Sequence, residues 1–175
     1  MKALAKTYTL LMVDDNPDDY YRVKDILDET ALSCDIRLVS NGKELLDYLY
    51  QMGAYAKPGQ APPPELILLY MNTPGNDGWK AIATVKADPS LGWIPIVVLH
   101  GSRQLEDINH CYELGASSYI PLPESYESFV DVITTLSKYW MSVVTLPGHE
   151  WEPVLDIVQE KGMSNPLNSQ PVASE

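Results

Sequence analysis

Four short runs of almost unbroken apolar character, and a fifth that is shorter and more polar, punctuate the chain, and an amphipathic stretch follows each one. The runs are YTLLMV at residues 8–13, DIRLV at 35–39, ELILLY at 65–70, IPIVVL at 94–99 and SSYI at 117–120. Strands that are apolar on both faces have to be covered on both faces, which a parallel sheet sandwiched between helices achieves. Right-handed βα units in this order predict a doubly wound, five-stranded parallel sheet of strand order 2-1-3-4-5, a flavodoxin-like three-layer sandwich.

The intervening stretches carry helix signals. Asn16 is placed to cap a helix, Pro17 suits its first position, and Asp18 and Asp19 sit in the first turn, where the helix dipole favours anions. Tyr20, Val23, Ile26 and Leu27 make its apolar stripe. Asn41-Gly42 opens a second helix bearing Leu45, Leu46, Leu49 and Met52, and residues 53–64 (GAYAKPGQAPPP) read as a loop stiffened by prolines. A dense turn signal at 73–78 precedes a third helix around Trp79, Ile82, Ala83 and Val85. Residues 104–114 form a fourth, with Leu105, Ile108 and Tyr112 at helical spacing, which stops at Gly115. From Tyr126 to about Val144 one long helix is expected, its face marked by Phe129, Val132, Ile133, Leu136, Trp140 and Val143, with Tyr139 and Met141 pointing away. Pro147, Pro153, Pro166 and Pro171 interrupt the remainder, so residues 1–145 read as one domain and 146–175 as an extension with a short helix from Pro153 and a disordered end.

Charge narrows the function. Against 24 acidic residues stand 12 basic ones, a net charge of −12, which repels phosphate backbones and anionic membranes. Nucleic acid is excluded as a direct partner on this ground, and about 30 trailing residues are too few for a DNA-binding output domain. No run approaches a membrane span and no signal-peptide core is present, so a cytoplasmic protein is expected. Cys34 and Cys111 lack any ligand or disulfide spacing and read as reduced, space-filling thiols.

In an open α/β sheet the ligand crevice lies outside the strand carboxyl ends, where strand order reverses. The first strand ends in Asp14-Asp15, the third in Tyr70, the fourth in His100 and the fifth in Ile120-Pro121-Leu122. Adjacent carboxylates in a confined site call for a metal ion, a cation or a bound proton.

VDDNPDD after the first strand, ELILLYMNTPGNDGW around the third, IPIVVLHGS at the fourth and ELGASSYIPLP at the fifth make residues 8–144 resemble a response-regulator receiver domain. The Asn-Pro-Asp helix start, the proline-rich loop and the KYWMSVVTLP ending are most similar to the small receivers that partner cyanobacterial and bacterial phytochromes. The resemblance implies two-component phosphorelay signalling, a sensor histidine kinase of phytochrome type as partner, and a Mg²⁺ ion. It places Asp14 and Asp15 at the metal-binding pair and Asn72 at the position whose carbonyl completes the ligands. Tyr70 stands at the phosphoacceptor position, His100 at the Thr/Ser position and Leu122 at the Lys position, so all three depart from the family pattern.

These departures have chemical consequences. A phenol forms no acyl phosphate, and at a pKa of about 10 it is a poor nucleophile and metal ligand near neutrality. His100 lacks the short hydroxyl, and Leu122 removes the cation that would pair with a phosphoryl group. The expected site is therefore degenerate and not enzymatic, with no catalytic residue. Three outcomes remain open for the acidic pair: weak Mg²⁺ binding with Asn72, a raised carboxyl pKa, or a contact to a cationic His100. Tyr119 matches the family's aromatic switch position, and His100 is expected to hold its ring in one rotamer. Output then runs through protein contacts on the face of the fourth helix, fifth strand and fifth helix, with Tyr112, Tyr119, Tyr139 and Met141 as candidate contacts, including a homodimer; for Tyr139 and Met141 the alternative is packing against Leu146 and Pro147. The competing expectation is a phosphorylatable receiver served by a phytochrome-type kinase.

Overall fold

The computed structural model describes residues 7–71 and 77–146. Its strands are β1 (Tyr8–Val13), β2 (Cys34–Val39), β3 (Leu66–Tyr70), β4 (Ile96–His100) and β5 (Ser118–Pro121), and its helices α1 (Pro17–Asp28), α2 (Gly42–Leu49), α3 (Asp77–Ala87), α4 (Leu105–Glu113) and α5 (Tyr126–Lys138). The strands pair in parallel in the order β2-β1-β3-β4-β5, as the pattern of apolar runs predicts.

Period-2 alternation divides the strand side chains between two cores. Leu11, Val13, Ile67, Leu69, Ile96 and Val98 face α2, α3 and α4, against Leu45, Leu49, Ile82 and Val85. Leu10, Met12, Leu68, Tyr70, Val97 and Leu99 face α1 and α5, against Val23, Ile26, Leu27 and Ile133. Every residue of β3 is buried, which fits its central place in the sheet. This alternation has a functional result: Tyr70 belongs to the α1–α5 side, while Tyr119 belongs to the α4 side.

Caps fix where the helices start. Asn16 Oδ1 accepts from Asp18 N, Asn41 Oδ1 from Glu44 N, and Ser125 Oγ from Ser128 N. Gly42 is required by close approach, since a Cβ there would lie 2.5 Å from the Asp77 carbonyl oxygen. Gly115 ends α4 with φ 91°, a left-handed conformation that glycine tolerates best.

Two expectations need correction. Strand β4 begins at Ile96, two residues late, because Pro95 brings no donor to the ladder, although its carbonyl still accepts from Ile67 N. The fifth helix does not continue regularly to Val144: from Tyr139 to Val143 it widens into a π-helical turn closed by Val144 N to Tyr139 O at 3.0 Å. The wider turn changes which residues face inward. Met141 is buried in the α1–α5 core instead of pointing away, and Val143 is exposed instead of lining the apolar face. Residues 53–64, read as a loop, include a short 3₁₀ turn at Gly53–Tyr55, and the Tyr48 hydroxyl donates to Pro62 O at 2.8 Å. Cys34 and Cys111 are free, and burial pushes each thiol up to about 11. The expected helix from Pro153 and the disordered end lie outside the described residues.

Candidate functional site

Asp14 leaves the sheet at the end of β1, pinned by its N–H to Val39 O at 2.9 Å. Its Oδ1 accepts from Asn16 N at 3.0 Å, while Oδ2 is buried without a partner. The residue is 3% exposed, and burial, reinforced by the neighbouring Asp19 and Asp15 charges, pushes its pKa up to about 6. Of the three outcomes open for the acidic pair, burial of Asp14 favours the raised carboxyl when no cation is bound. Asp15 turns outward and is exposed.

Tyr70, at the end of β3, is 5% exposed and its hydroxyl also lacks a partner. Burial, with the Asp19 and Asp14 charges beside it, drives its pKa far above the ordinary phenol value, so no phenolate forms at neutral pH. Asp14 and Tyr70 share a cavity of about 40 Å³ with Val13, Asn41 and Met71, room for about one water. Leu122 follows β5, donates its N–H to His100 O at 2.9 Å and packs against the α1–α5 core. Tyr70 and Leu122 thus lie together on one side of the sheet.

His100 is on the other side. Its Nδ1 lies 2.9 Å from the Tyr119 hydroxyl, which donates to Ser102 O at 2.8 Å. A phenol has one proton; if Ser102 takes it, the His100 contact requires an Nδ1–H that donates to Tyr119. Tyr119 is buried, and its backbone N–H donates to the Tyr112 hydroxyl at 3.1 Å. The Trp79 ring meets His100 edge-on at 6.1 Å. Tyr119→Phe strips the partner from the Ser102 carbonyl and the His100 nitrogen, and a loss of about 1–2 kcal/mol in urea unfolding is expected; an unchanged midpoint would show that the two bonds contribute nothing.

The sequence-derived residues are only partly brought together. Asp14, Tyr70 and Leu122 border one region, His100 and Tyr119 another, and Asn72 lies outside the described residues. Of the four proposed surface residues, Tyr112 and Tyr139 are half exposed, whereas Tyr119 and Met141 are buried and offer no contact surface; each is held in a core by its strand or π-turn position. Among the described residues no group of three or more His, Cys, Asp or Glu side chains is placed to hold a metal ion.

Sequence reasoning missed Asp19, Arg22 and Ser102. In the sequence Asp19 reads only as a helix-start anion, yet it accepts from Arg22 at 3.1 Å and from Asn16 Nδ2 at 3.0 Å at the mouth of the site. The three-residue spacing of Asp19 and Arg22 on one helix was the available signal. Ser102 acts through its carbonyl, which no side-chain pattern reveals.

A sequence model of the family described as response regulator receiver domain matches residues 10–134. Response regulator Rcp1 of Synechocystis sp. is 30% identical over 138 residues, covering 79% of this chain and 92% of that protein. The crystal structure of the phosphorylated cyanobacterial phytochrome response regulator RcpA superposes with a TM-score of 0.75 at 33% identity, over 82% of this chain and 100% of that one. The Mn²⁺-bound form of Rcp1 gives 0.74 at 29% identity, over 81% and 99%.

Proposed function

The chain belongs to the response regulator receiver domain family, and on that premise we propose that it serves two-component signalling as a binding module that takes no phosphoryl group itself. One observation supports this reading: the residue that closes β3, where the resemblance puts the acceptor, is Tyr70, a buried phenol whose proton burial holds more tightly than in water. Phosphoryl transfer to an aspartate makes an acyl phosphate, and Tyr70 has no carboxylate to make one. Leu122 in place of the lysine supplies no counter-charge, and His100 in place of the hydroxyl is engaged with Tyr119.

The orphaned Asp14 oxygen fits a divalent cation, with the exposed Asp15 beside it and Asn72 as the further ligand that the family pattern suggests. Such an ion would neutralise the pair. Without a third carboxylate at the strand ends it is held weakly.

Signalling then depends on what the fold presents. The Tyr119–His100–Ser102 contacts support a ring fixed inward, and a fixed ring gives the α4–β5–α5 face one shape. Leu105 at 69%, Tyr112 at 50% and Tyr139 at 48% exposure offer apolar surface for a second copy of the chain or for a histidine kinase of phytochrome type. The net charge of −12 disfavours nucleic acid, and among the described residues no helix is long and apolar enough to cross a membrane. A cytoplasmic location agrees with this reading.

The second reading, a working phosphoacceptor, draws on the likeness to a relative crystallised in phosphorylated form. Beryllofluoride, which bonds to an acceptor carboxylate as a phosphoryl mimic, separates the two. With Mg²⁺ and beryllofluoride the amide spectrum is expected to match that with Mg²⁺ alone; new shifts around β3 and β5 would favour the phosphoacceptor.

A further inference from the structure

At the end of α5 the sequence and the backbone disagree. Leu136, Trp140, Val143 and Val144 recur at the spacing of one face of a regular helix, and neither proline nor glycine occurs between Tyr126 and Leu146. The backbone nevertheless widens over Tyr139–Val143, where Val144 N donates to Tyr139 O at 3.0 Å across five residues in place of four. Two causes lie just upstream. Ser137 is buried and its hydroxyl donates back to Thr134 O at 2.9 Å, a bond that bends a helix. The Tyr139 N–H is shared between the Leu136 and Thr135 carbonyls, so the ladder has loosened before the wide turn begins.

Each geometry satisfies what the other leaves out. The wide turn seats Met141, 4% exposed, among Leu10, Val23, Leu27, Leu66, Leu68 and Ile133. The fit is incomplete, because a space of about 20 Å³ with apolar walls remains beside it. The same turn leaves Val143 65% and Tyr139 48% exposed and forgoes one bond of a regular helix. A regular continuation, at about 3.6 residues per turn, sets Trp140 and Val144 in line with the buried Ile133 and Ser137, moves Met141 and Val143 to the flanks, and bonds Val144 N to Trp140 O. Trp140 already packs against this core, so little has to move. Methionine is unbranched and flexible, which suits it to both positions.

We propose that the end of α5 is a two-register latch, in which the wide turn with Met141 seated exchanges with a regular turn that seats Trp140 and Val144 and releases Met141. The registers present different surfaces, Tyr139 with Val143 in the first and Met141 in the second, so a contact that favours one set shifts the register. The latch is separate from the strand-end chemistry: Met141 shares its pocket with Leu66, the first residue of β3, whereas Tyr70 is the last.

The test is exchange NMR on the full chain labelled with ¹⁵N and with ¹³C at the methionine methyls. Relaxation dispersion is expected at the Met141 methyl and at the amides of residues 139–144, on the microsecond-to-millisecond scale, from a minor register populated at about 0.1–10%. The coupling across the hydrogen bond of the Val144 amide should run to the Tyr139 carbonyl carbon. Val143→Asp puts a charge that is solvated in the wide turn and carried toward the core in the regular one, so it should reduce the exchange contribution at least about fivefold. Met141→Ala removes the seated side chain and should move the Val144 coupling to the Trp140 carbonyl carbon. Flat profiles over residues 139–144 in the wild type, dispersion unchanged by Val143→Asp, or a Met141→Ala protein whose Val144 coupling stays with Tyr139 would overturn the proposal. If Met141→Ala does not fold, the wild-type and Val143→Asp profiles decide alone.

Discussion

Tyr70→Asp is expected to lose about 3 kcal/mol of stability in metal-free buffer, whereas Tyr70→Phe should lose nothing and is expected to gain slightly. The side chain is 5% exposed and packs into the α1–α5 core with Leu68, Leu99 and Ile133. Aspartate withdraws the ring from those contacts and adds a carboxylate next to Asp14, whose own carboxyl already resists ionisation. Phenylalanine keeps the ring and removes only a hydroxyl that has no partner. Mg²⁺ should restore part of the loss in Tyr70→Asp, because a third strand-end carboxylate then completes a ligand set. Phosphorylation of this variant should stay slight, since Leu122 and His100 still supply neither counter-charge nor hydroxyl. Denaturant unfolding with and without Mg²⁺ measures the first effect; equal stabilities of Tyr70→Asp and Tyr70→Phe would show that Tyr70 is not a packing residue.

Asp14→Asn should raise stability by about 3 kcal/mol at pH 7 without divalent ions, and by almost nothing at pH 3. The carboxyl titrates near 3.8 when unfolded and near 6 when folded. Below both values the two states carry the same proton. Between them the folded state retains a proton that the unfolded state has lost, so wild-type stability falls as pH rises through this window, and the penalty is complete above about 6. Asparagine keeps an oxygen for Asn16 N and offers an amide donor toward Asp19, which already interacts with Asp14. Urea midpoints at pH 3, 5 and 7 measure it: the wild type should show the slope and the variant should lack it. Parallel pH profiles would mean that Asp14 ionises freely in the folded protein.

The fold was readable because β1, β3 and β4 are runs of apolar residues buried on both faces while the half-buried β2 and β5 suit the two edges, and the order follows from right-handed crossovers. Ile94 and Pro95 extended the fourth run past the point where proline can donate to the ladder. The end of α5 was not readable: Trp140 and Val143 keep helical spacing, but one backbone bond from Val144 to Tyr139 widens the turn and brings Met141 inward. Strand-end positions of Asp14, Tyr70, His100 and Leu122 followed from topology once the runs were known. Their environments did not. The orphaned oxygen of Asp14 reflects three-dimensional burial, the Tyr119 contact depends on the backbone carbonyl of Ser102, and Arg22 enters the site through α1 packing against α5. Side-chain identity along a sequence carries none of these.

Intact mass after incubation with Mg²⁺ and acetyl phosphate reads out whether the strand-end site takes a phosphoryl group. The protein is expected to keep its unmodified mass. A stoichiometric gain of one phosphoryl group that hydroxylamine removes, and that Asp14→Asn or Asp15→Asn abolishes while His100→Gln does not, would contradict this, because hydroxylamine cleaves an acyl phosphate and leaves a phosphotyrosine intact.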